Sequence, residues 1–291
     1  MKLSRTSMAV ALSLGLGMAA TSAIASHVPS VVFSASGFNV NPSAVGEPNT
    51  TFSATYIDFS YSAEIDQTAV TANSGTFRET GAATFSAFRT SLSGAPINVG
   101  ITGLNLNYNL YALFTATGTT QNNFAGGVDG LFTSFNVSLF VDRTGDTTFN
   151  TITTGAAGGN ESKTANGLTA DDILVLTGTL STGGFHVNSG LAAGDFDVLF
   201  RVNSCGIGAA TGFFCGVGGL VAGQTIGDIN GVNTLISGVG PAGAGSTAID
   251  INIIGSGNVS FQAVPEPGSL LLFGAALAGM ATTMRRRKIK S

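Results

Sequence analysis

Apolar residues recur at every second position through most of this chain, and that period limits its fold to sheet. Ile57, Phe59, Tyr61, Ala63 and Ile65 alternate with Asp58, Ser60, Ser62 and Glu64. Leu104, Leu106, Tyr108, Leu110, Ala112 and Phe114 repeat the pattern, as do Phe135 to Val141 and Phe196 to Val202 in steps of two. Ile249, Ile251 and Ile253, then Val259, Phe261 and Ala263, close the series. Side chains on a strand point to opposite faces in turn, so alternation means one buried face and one wet face, as in antiparallel sheets. No comparable 3.6-residue stripe occurs between residues 26 and 264. The expected fold is all-β, an antiparallel β-sandwich that buries the many phenylalanines between two sheets, with a jelly roll as one admissible topology. Glycine-rich clusters at Gly126-Gly127, Gly158-Gly159-Asn160 and Gly183-Gly184 are expected to be turns. Asp171–Leu176 admits a short helix, but Ile173 and Val175 favour a strand.

Both ends of the chain depart from this pattern. Lys2 and Arg5 precede an apolar run, Met8–Ala20, and then Ala23-Ile24-Ala25 before Ser26. That order is a charged region, an apolar helix and an A-x-A cleavage site, which predicts a signal peptide over residues 1–25 and a mature chain from Ser26. At the other end, Val264-Pro265-Glu266-Pro267 leads into an apolar run, Leu270–Met284, and then Arg285-Arg286-Arg287-Lys288. The prolines fix φ and remove two backbone donors, so the preceding strand stops and the segment stays open to a processing enzyme. Fifteen apolar residues fall short of the ~20 of a comfortable helical span, which suits a transient membrane helix, with an ordinary single-pass anchor as the alternative. The basic cluster holds its end on the cytoplasmic side. The tail, residues 265–291, resembles the PEP-CTERM sorting tail of exported proteins in Gram-negative bacteria. The resemblance implies an exosortase-like membrane enzyme as partner, acting near Pro265-Glu266-Pro267. The expected route is secretion across the inner membrane, transient anchoring, then the cell surface or extracellular matrix.

Removing both ends changes the charge. Of the 12 Lys and Arg, two lie in the leader and five in the tail; of the 16 Asp and Glu, only Glu266 lies in the tail. The middle segment, residues 26–264, therefore carries five basic and 15 acidic residues, a formal charge of −10. Nucleic acid and anionic membrane surfaces need basic patches and are excluded as partners. A surface of Ser, Thr, Asn and Gly permits self-association and contact with a hydrated polysaccharide.

The middle segment has its own resemblance. Tyr108-Asn109-Leu110-Tyr111-Ala112-Leu113-Phe114, Ser138-Leu139-Phe140-Val141-Asp142, Gly145-Asp146-Thr147-Thr148, Ala170-Asp171-Asp172-Ile173-Leu174 and Gly194-Asp195-Phe196-Asp197-Val198 are similar to flocculation-associated PEP-CTERM proteins of floc-forming bacteria. Arg143 departs from the pattern, where proline is expected after the aspartate. The resemblance implies a protein needed for cells to aggregate in exopolysaccharide, with no enzymatic activity.

Cys205 and Cys215, the two cysteines, are expected to form a disulfide closing a glycine-rich loop, since an exported pair at short spacing meets an oxidising compartment. A metal or redox pair is the alternative, without a histidine or second cysteine pair beside it. Asp142 and Asp146 flank Gly145 after a strand and offer oxygen ligands for calcium, though without the EF-hand order; the plainer reading is an Asx-type turn with solvated carboxylates. No other cofactor is expected. Asp195 and Asp197 share one face of a strand beside Arg201 and read as a surface feature, not a glycosidase pair. His27 lies near the mature terminus, and His186 follows Gly183-Gly184 without identifiable partners. Gly238-Val239-Gly240-Pro241-Ala242-Gly243 fits G-x-G-x-x-G but lacks a βαβ setting and is expected to be a loop. Tryptophan is absent, leaving Tyr56, Tyr61, Tyr108 and Tyr111 as stacking platforms for sugar.

Overall fold

The alternating runs become long strands that roll into one closed sheet. The computed structural model describes residues 34–68, 74–122, 127–150, 163–167, 171–188, 193–206, 212–241 and 249–264. In chain order the strands are β1 (Phe38–Val40), β2 (Phe52–Ala54), β3 (Tyr56–Thr68), β4 (Ser74–Arg89), β5 (Asn109–Asn122) and β6 (Val128–Asp142). They continue with β7 (Thr148–Phe149), β8 (Ala165–Asn166), β9 (Asp172–Val187), β10 (Gly194–Ser204), β11 (Thr225–Pro241) and β12 (Ile249–Ala263). Eight of them, β3, β4, β5, β6, β9, β10, β11 and β12, pair antiparallel with their neighbours in that order. Strand β12 then returns to β3, from Ile249 opposite Gln67 to Ser260 opposite Tyr56, and closes the barrel.

The expected sandwich is thus corrected to an up-and-down barrel, while the all-β antiparallel reading holds. Alternation cannot separate the two, because a sheet closed on itself buries one face just as two stacked sheets do. Closure depends on curvature, and here aromatic rings on one strand lie over glycines on the next. Phe196 faces Gly231 in the β10–β11 register, and Phe59 faces Gly257 in the β12–β3 register. The wall can then bend around the rings without side chains colliding.

The inward face is apolar, with Ile57, Phe59, Ala63, Phe85, Val137, Leu139, Phe200 and Phe261 all buried. Outward positions carry hydroxyls and amides that bond along the surface: Ser60 with Thr84 at 3.1 Å, Thr117 with Ser134 at 2.6 Å, and Asn203 with Thr179 at 3.1 Å. Apolar inside and polar outside is the reverse of a membrane-spanning barrel. No helix among the described residues is long and apolar enough to cross a membrane. The expected signal helix and the short membrane helix Leu270–Met284 lie outside the described residues.

One end of the barrel is plugged. The β1–β2 pair, the 3-10 turn Pro42–Val45 and the helical turn Gly212–Cys215 bring together Phe38, Phe213, Phe214 and Phe261. Phe38 and Phe261 meet edge to face at 5.0 Å, and Phe213 and Phe214 at 4.8 Å. The disulfide expected between Cys205 and Cys215 is present, with Cα atoms 5.8 Å apart, and it ties the end of β10 to the turn bearing both phenylalanines. Arg143 bonds Glu47 through Nε at 3.1 Å and fastens the barrel to the plug segment.

Three local expectations are corrected. Gly183-Gly184 is no turn but lies within β9, where a Cβ on Gly183 would come 2.8 Å from the Asp197 carbonyl oxygen; the glycine permits close backbone approach. Gly238–Pro241 lie in β11, with Gly240 opposite Asp250, so that part of the expected loop is strand; Ala242-Gly243 lie outside the described residues. Leu104 and Leu106 precede β5, and Leu106 is 65% exposed in the turn after Gly103. Ile173 and Val175 do lie on a strand, β9. Gly158-Gly159-Asn160 lie outside the described residues.

Candidate functional site

The first functional feature is where the chain leaves the barrel. Strand β12 pairs with β11 as far as Ala263 opposite Thr225, and Val264 then donates its backbone N–H to the Gln224 carbonyl at 2.7 Å. Val264 is 40% exposed, so the chain emerges at the surface just before the two prolines. The entering chain lies alongside: Ser36 N–H donates to the Phe261 carbonyl at 2.8 Å, and Ser34 N–H to Gln262 Oε1 at 3.3 Å. Both described ends therefore meet at the plugged end. The barrel is complete without either address, since the last strand is fully paired before the motif begins. Ala23, Ala25 and Ser26, Pro265, Glu266 and Pro267, and Arg285, Arg286, Arg287 and Lys288 lie outside the described residues, as does His27.

The second feature is an acid cluster where β6 ends. Carboxylate oxygens of Asp142, Asp146 and Asp171 lie within 4.8 Å of one another. Asp142 is 1% exposed, and its carboxylate accepts backbone N–H bonds from Thr144 at 3.1 Å, Gly145 at 2.6 Å and Thr147 at 3.1 Å. Gly145 sits at φ +73°, where a side chain would be strained, so glycine sets the turn. Asp171 accepts from the Thr144 hydroxyl at 2.7 Å, and Asp146 is exposed. The arrangement is an Asx-type turn with oxygens left over on its outer side, chemically able to offer a hard cation two or three ligands. Asp171 was not grouped with the other two in the sequence, because 25 residues separate it from Asp146 and only the pairing of β6 with β9 brings them together.

The remaining polar residues sort differently from their spacing. Asp197 associates with Asp228 on β11 and not with Asp195; burial and then the Asp197 charge push the Asp228 carboxyl up to about 7. His186 does have partners: Nδ1 lies 2.6 Å from Asp129 and Nε2 3.2 Å from Asn188, and the Asp129 hydrogen bond raises its pKa. Three of the four tyrosines are no sugar platforms. Tyr61 points into the barrel, Tyr108 packs edge-on to Phe213 in the plug, and Tyr111 stacks at 5.1 Å on Phe140. All three are buried, because alternation placed Tyr61 inward and the plug and the β7 hairpin cover the others.

The third feature was not foreseen. The barrel interior holds a cavity of about 80 Å³, lined by aromatic and aliphatic side chains and by three polar residues, Glu79, Tyr61 and Asn233. The Tyr61 hydroxyl donates to Asn233 Oδ1. Burial raises the Tyr61 pKa, with the Glu79 charge second, and burial pushes the Glu79 carboxyl up to about 8. The signal was present in the sequence: Phe77, Glu79, Gly81, Ala83 and Phe85 alternate with Arg78, Thr80, Ala82 and Thr84, which puts one glutamate on an otherwise apolar inward row.

Residues 263–288 match the family model of the PEP-CTERM protein-sorting motif. The chain is thus exported, anchored transiently at the membrane and processed by an exosortase. The match covers the tail and the last residue of β12, and so concerns sorting and not what the barrel does. No curated protein and no solved structure matches the chain.

Proposed function

We propose that this is a non-enzymatic surface or matrix protein that promotes cell aggregation within exopolysaccharide. The observation that carries the reading is the junction at Val264, where a complete barrel runs without a linker into the sorting motif. Cutting near Pro265-Glu266-Pro267 would deliver the barrel whole to the outside. Its outward rows of Ser, Thr and Asn match the hydroxyls of a hydrated polysaccharide, and its acidic balance keeps it off anionic surfaces. A closed sheet offers no free edge for strand addition, so self-association would run through those outward faces.

Two measurements test this. Intact mass of the protein extracted from the cell surface should lack residues 285–291; finding them attached overturns the processing step. Cells producing a chain truncated after Val264 should lose clumping although the barrel still folds; unchanged clumping overturns the surface role.

The convergence of Asp142, Asp146 and Asp171 favours a second reading, a calcium-assisted carbohydrate-binding domain. Calcium there would supply a charge for sugar hydroxyls to coordinate, next to a turn already fixed by Asp142.

A further inference from the structure

The barrel cavity is built like a binding site and not like a packing gap. Its wall includes Phe114, Phe135, Phe196, Val198 and Ile253, and it lies beneath Phe132 and Phe185, whose ring centroids are 5.8 Å apart. Phe77 packs edge-on against both, at 5.6 and 5.3 Å, and completes a roof of three rings. Glu79 reaches into this apolar space. It is 8% exposed, and its carboxyl accepts no hydrogen bond from any described residue. The Tyr61 hydroxyl donates to Asn233 Oδ1, so the polar lining consists of one carboxyl beside a bonded tyrosine–asparagine pair. A buried polar group without a partner is costly, and the cost is retained only where something repays it. Desolvation raises the carboxyl to about 8, so at neutral pH it is an uncharged acid, a donor as well as an acceptor.

We propose that the barrel interior binds a slender, uncharged aliphatic molecule ending in a single hydroxyl or carbonyl, with its chain among Phe114, Phe135, Phe196 and Ile253 and its head on the Glu79 carboxyl. The space sets the length. A cavity of about 150 Å³ accepts benzene, and this one is near 80 Å³, so short chains fit and long acyl chains do not. The site is independent of the matrix role, because it faces inward and uses none of the outward hydroxyl rows.

Saturation-transfer NMR and calorimetry on the exported protein recovered from producing cells, at about pH 6, decide the matter with methanol, ethanol, propan-1-ol and propane as probes. Affinity should rise about fourfold with each methylene from methanol to propan-1-ol. Glu79→Leu should weaken propan-1-ol about tenfold and leave propane unchanged, while Glu79→Gln should retain alcohol binding. Ala112→Leu, which grows into the cavity, should remove binding of alcohols and propane alike, with a melting curve confirming that the variant folds. If that variant fails to fold, the two Glu79 variants still decide. Absence of alcohol binding by the wild type, affinity independent of chain length, or equal loss of propane and propan-1-ol in Glu79→Leu overturns the proposal.

Discussion

Phe196 lies directly across from Gly231 in the pairing of β10 with β11, and its ring fills the space a Gly231 side chain would take. The same relationship links Phe114 with Gly81, Phe200 with Gly227, and Tyr61 with Gly255, and the Phe200 ring also covers Gly178, diagonal to it on β9. An eight-stranded barrel has an interior only wide enough for side chains. Filling it with phenylalanine from every strand would overpack it. Alternating rings with glycines on neighbouring strands solves the volume problem and lets the wall curl. The abundance of glycine in this chain, 41 residues, is therefore in part a packing device and not only a supply of turns.

Gly231→Ala should destabilise the barrel by roughly 1–3 kcal/mol, the usual range for overpacking. A Cβ there would lie 2.7 Å from Phe196 Cζ and 2.7 Å from the Ser256 carbonyl oxygen, and the backbone oxygen cannot swing away as a side chain could. Combining it with Phe196→Leu should recover part of the loss, because only the ring clash is relieved. Denaturant midpoints of the two single variants and the double variant check this; full additivity would mean that the ring and the glycine do not share the space.

Strand positions were legible because alternation is a local property. Ile57 to Ile65, Phe135 to Val141 and Phe196 to Val202 read correctly as one-faced strands from their own residues. Closure was not legible, since whether β12 meets β3 depends on curvature summed around eight strands. Gly183-Gly184 misled for a related reason: a glycine pair marks a turn when judged by dihedral freedom, yet here it marks close approach to Asp197 and Val198 of the next strand. The sorting tail was legible because such an address must be read as an extended segment. The cavity was hidden, although Glu79 among inward residues marked it.

Stability should fall as pH rises between about 4.5 and 8. Burial raises the Glu79 carboxyl from its ordinary 4.5 to about 8, so across that window the folded chain holds a proton the unfolded chain has released. Linkage then makes the slope of unfolding free energy against pH negative. Asp228, raised to about 7, acts in the same direction. The Glu79 contribution has a ceiling of about 5 kcal/mol at 1.36 kcal/mol per unit. With respect to these two groups stability is greatest below about pH 3.8, the ordinary value of Asp228, and Glu79→Gln should flatten the slope. Urea titrations at a series of pH values measure it; an equal slope in the variant would show that Glu79 is not the group responsible.

Reduction of the Cys205–Cys215 bond should loosen the plug before it loosens the barrel. The bridge closes a short loop and is worth about 3 kcal/mol on the chain-entropy account. It holds the turn that carries Phe213 and Phe214, whose rings meet Phe38 and Tyr108 in the plug and touch the barrel at Phe261. Hydrogen exchange of the reduced protein should show faster exchange at Asn39 and Asn41, which donate to Gly218 and Phe213, with little change at mid-strand positions of β4 and β5. Uniform acceleration throughout would mean that plug and barrel form one cooperative unit.

Asp142 and Asp146 should behave oppositely when removed. Asp142→Ala strips acceptors from three backbone N–H groups at a buried turn and should cost about 2–3 kcal/mol with or without calcium, since hydrogen bonds to a carboxylate are the stronger kind. Asp146 is exposed and holds no such bonds among the described residues, so Asp146→Ala should be near neutral in calcium-free buffer. On the calcium reading, millimolar calcium raises the wild-type melting temperature and leaves that of Asp146→Ala unmoved, because the cation loses the ligand that no turn requires. Identical melting curves for the wild type with and without calcium would remove the metal from the site and leave Asp142 as a turn residue alone.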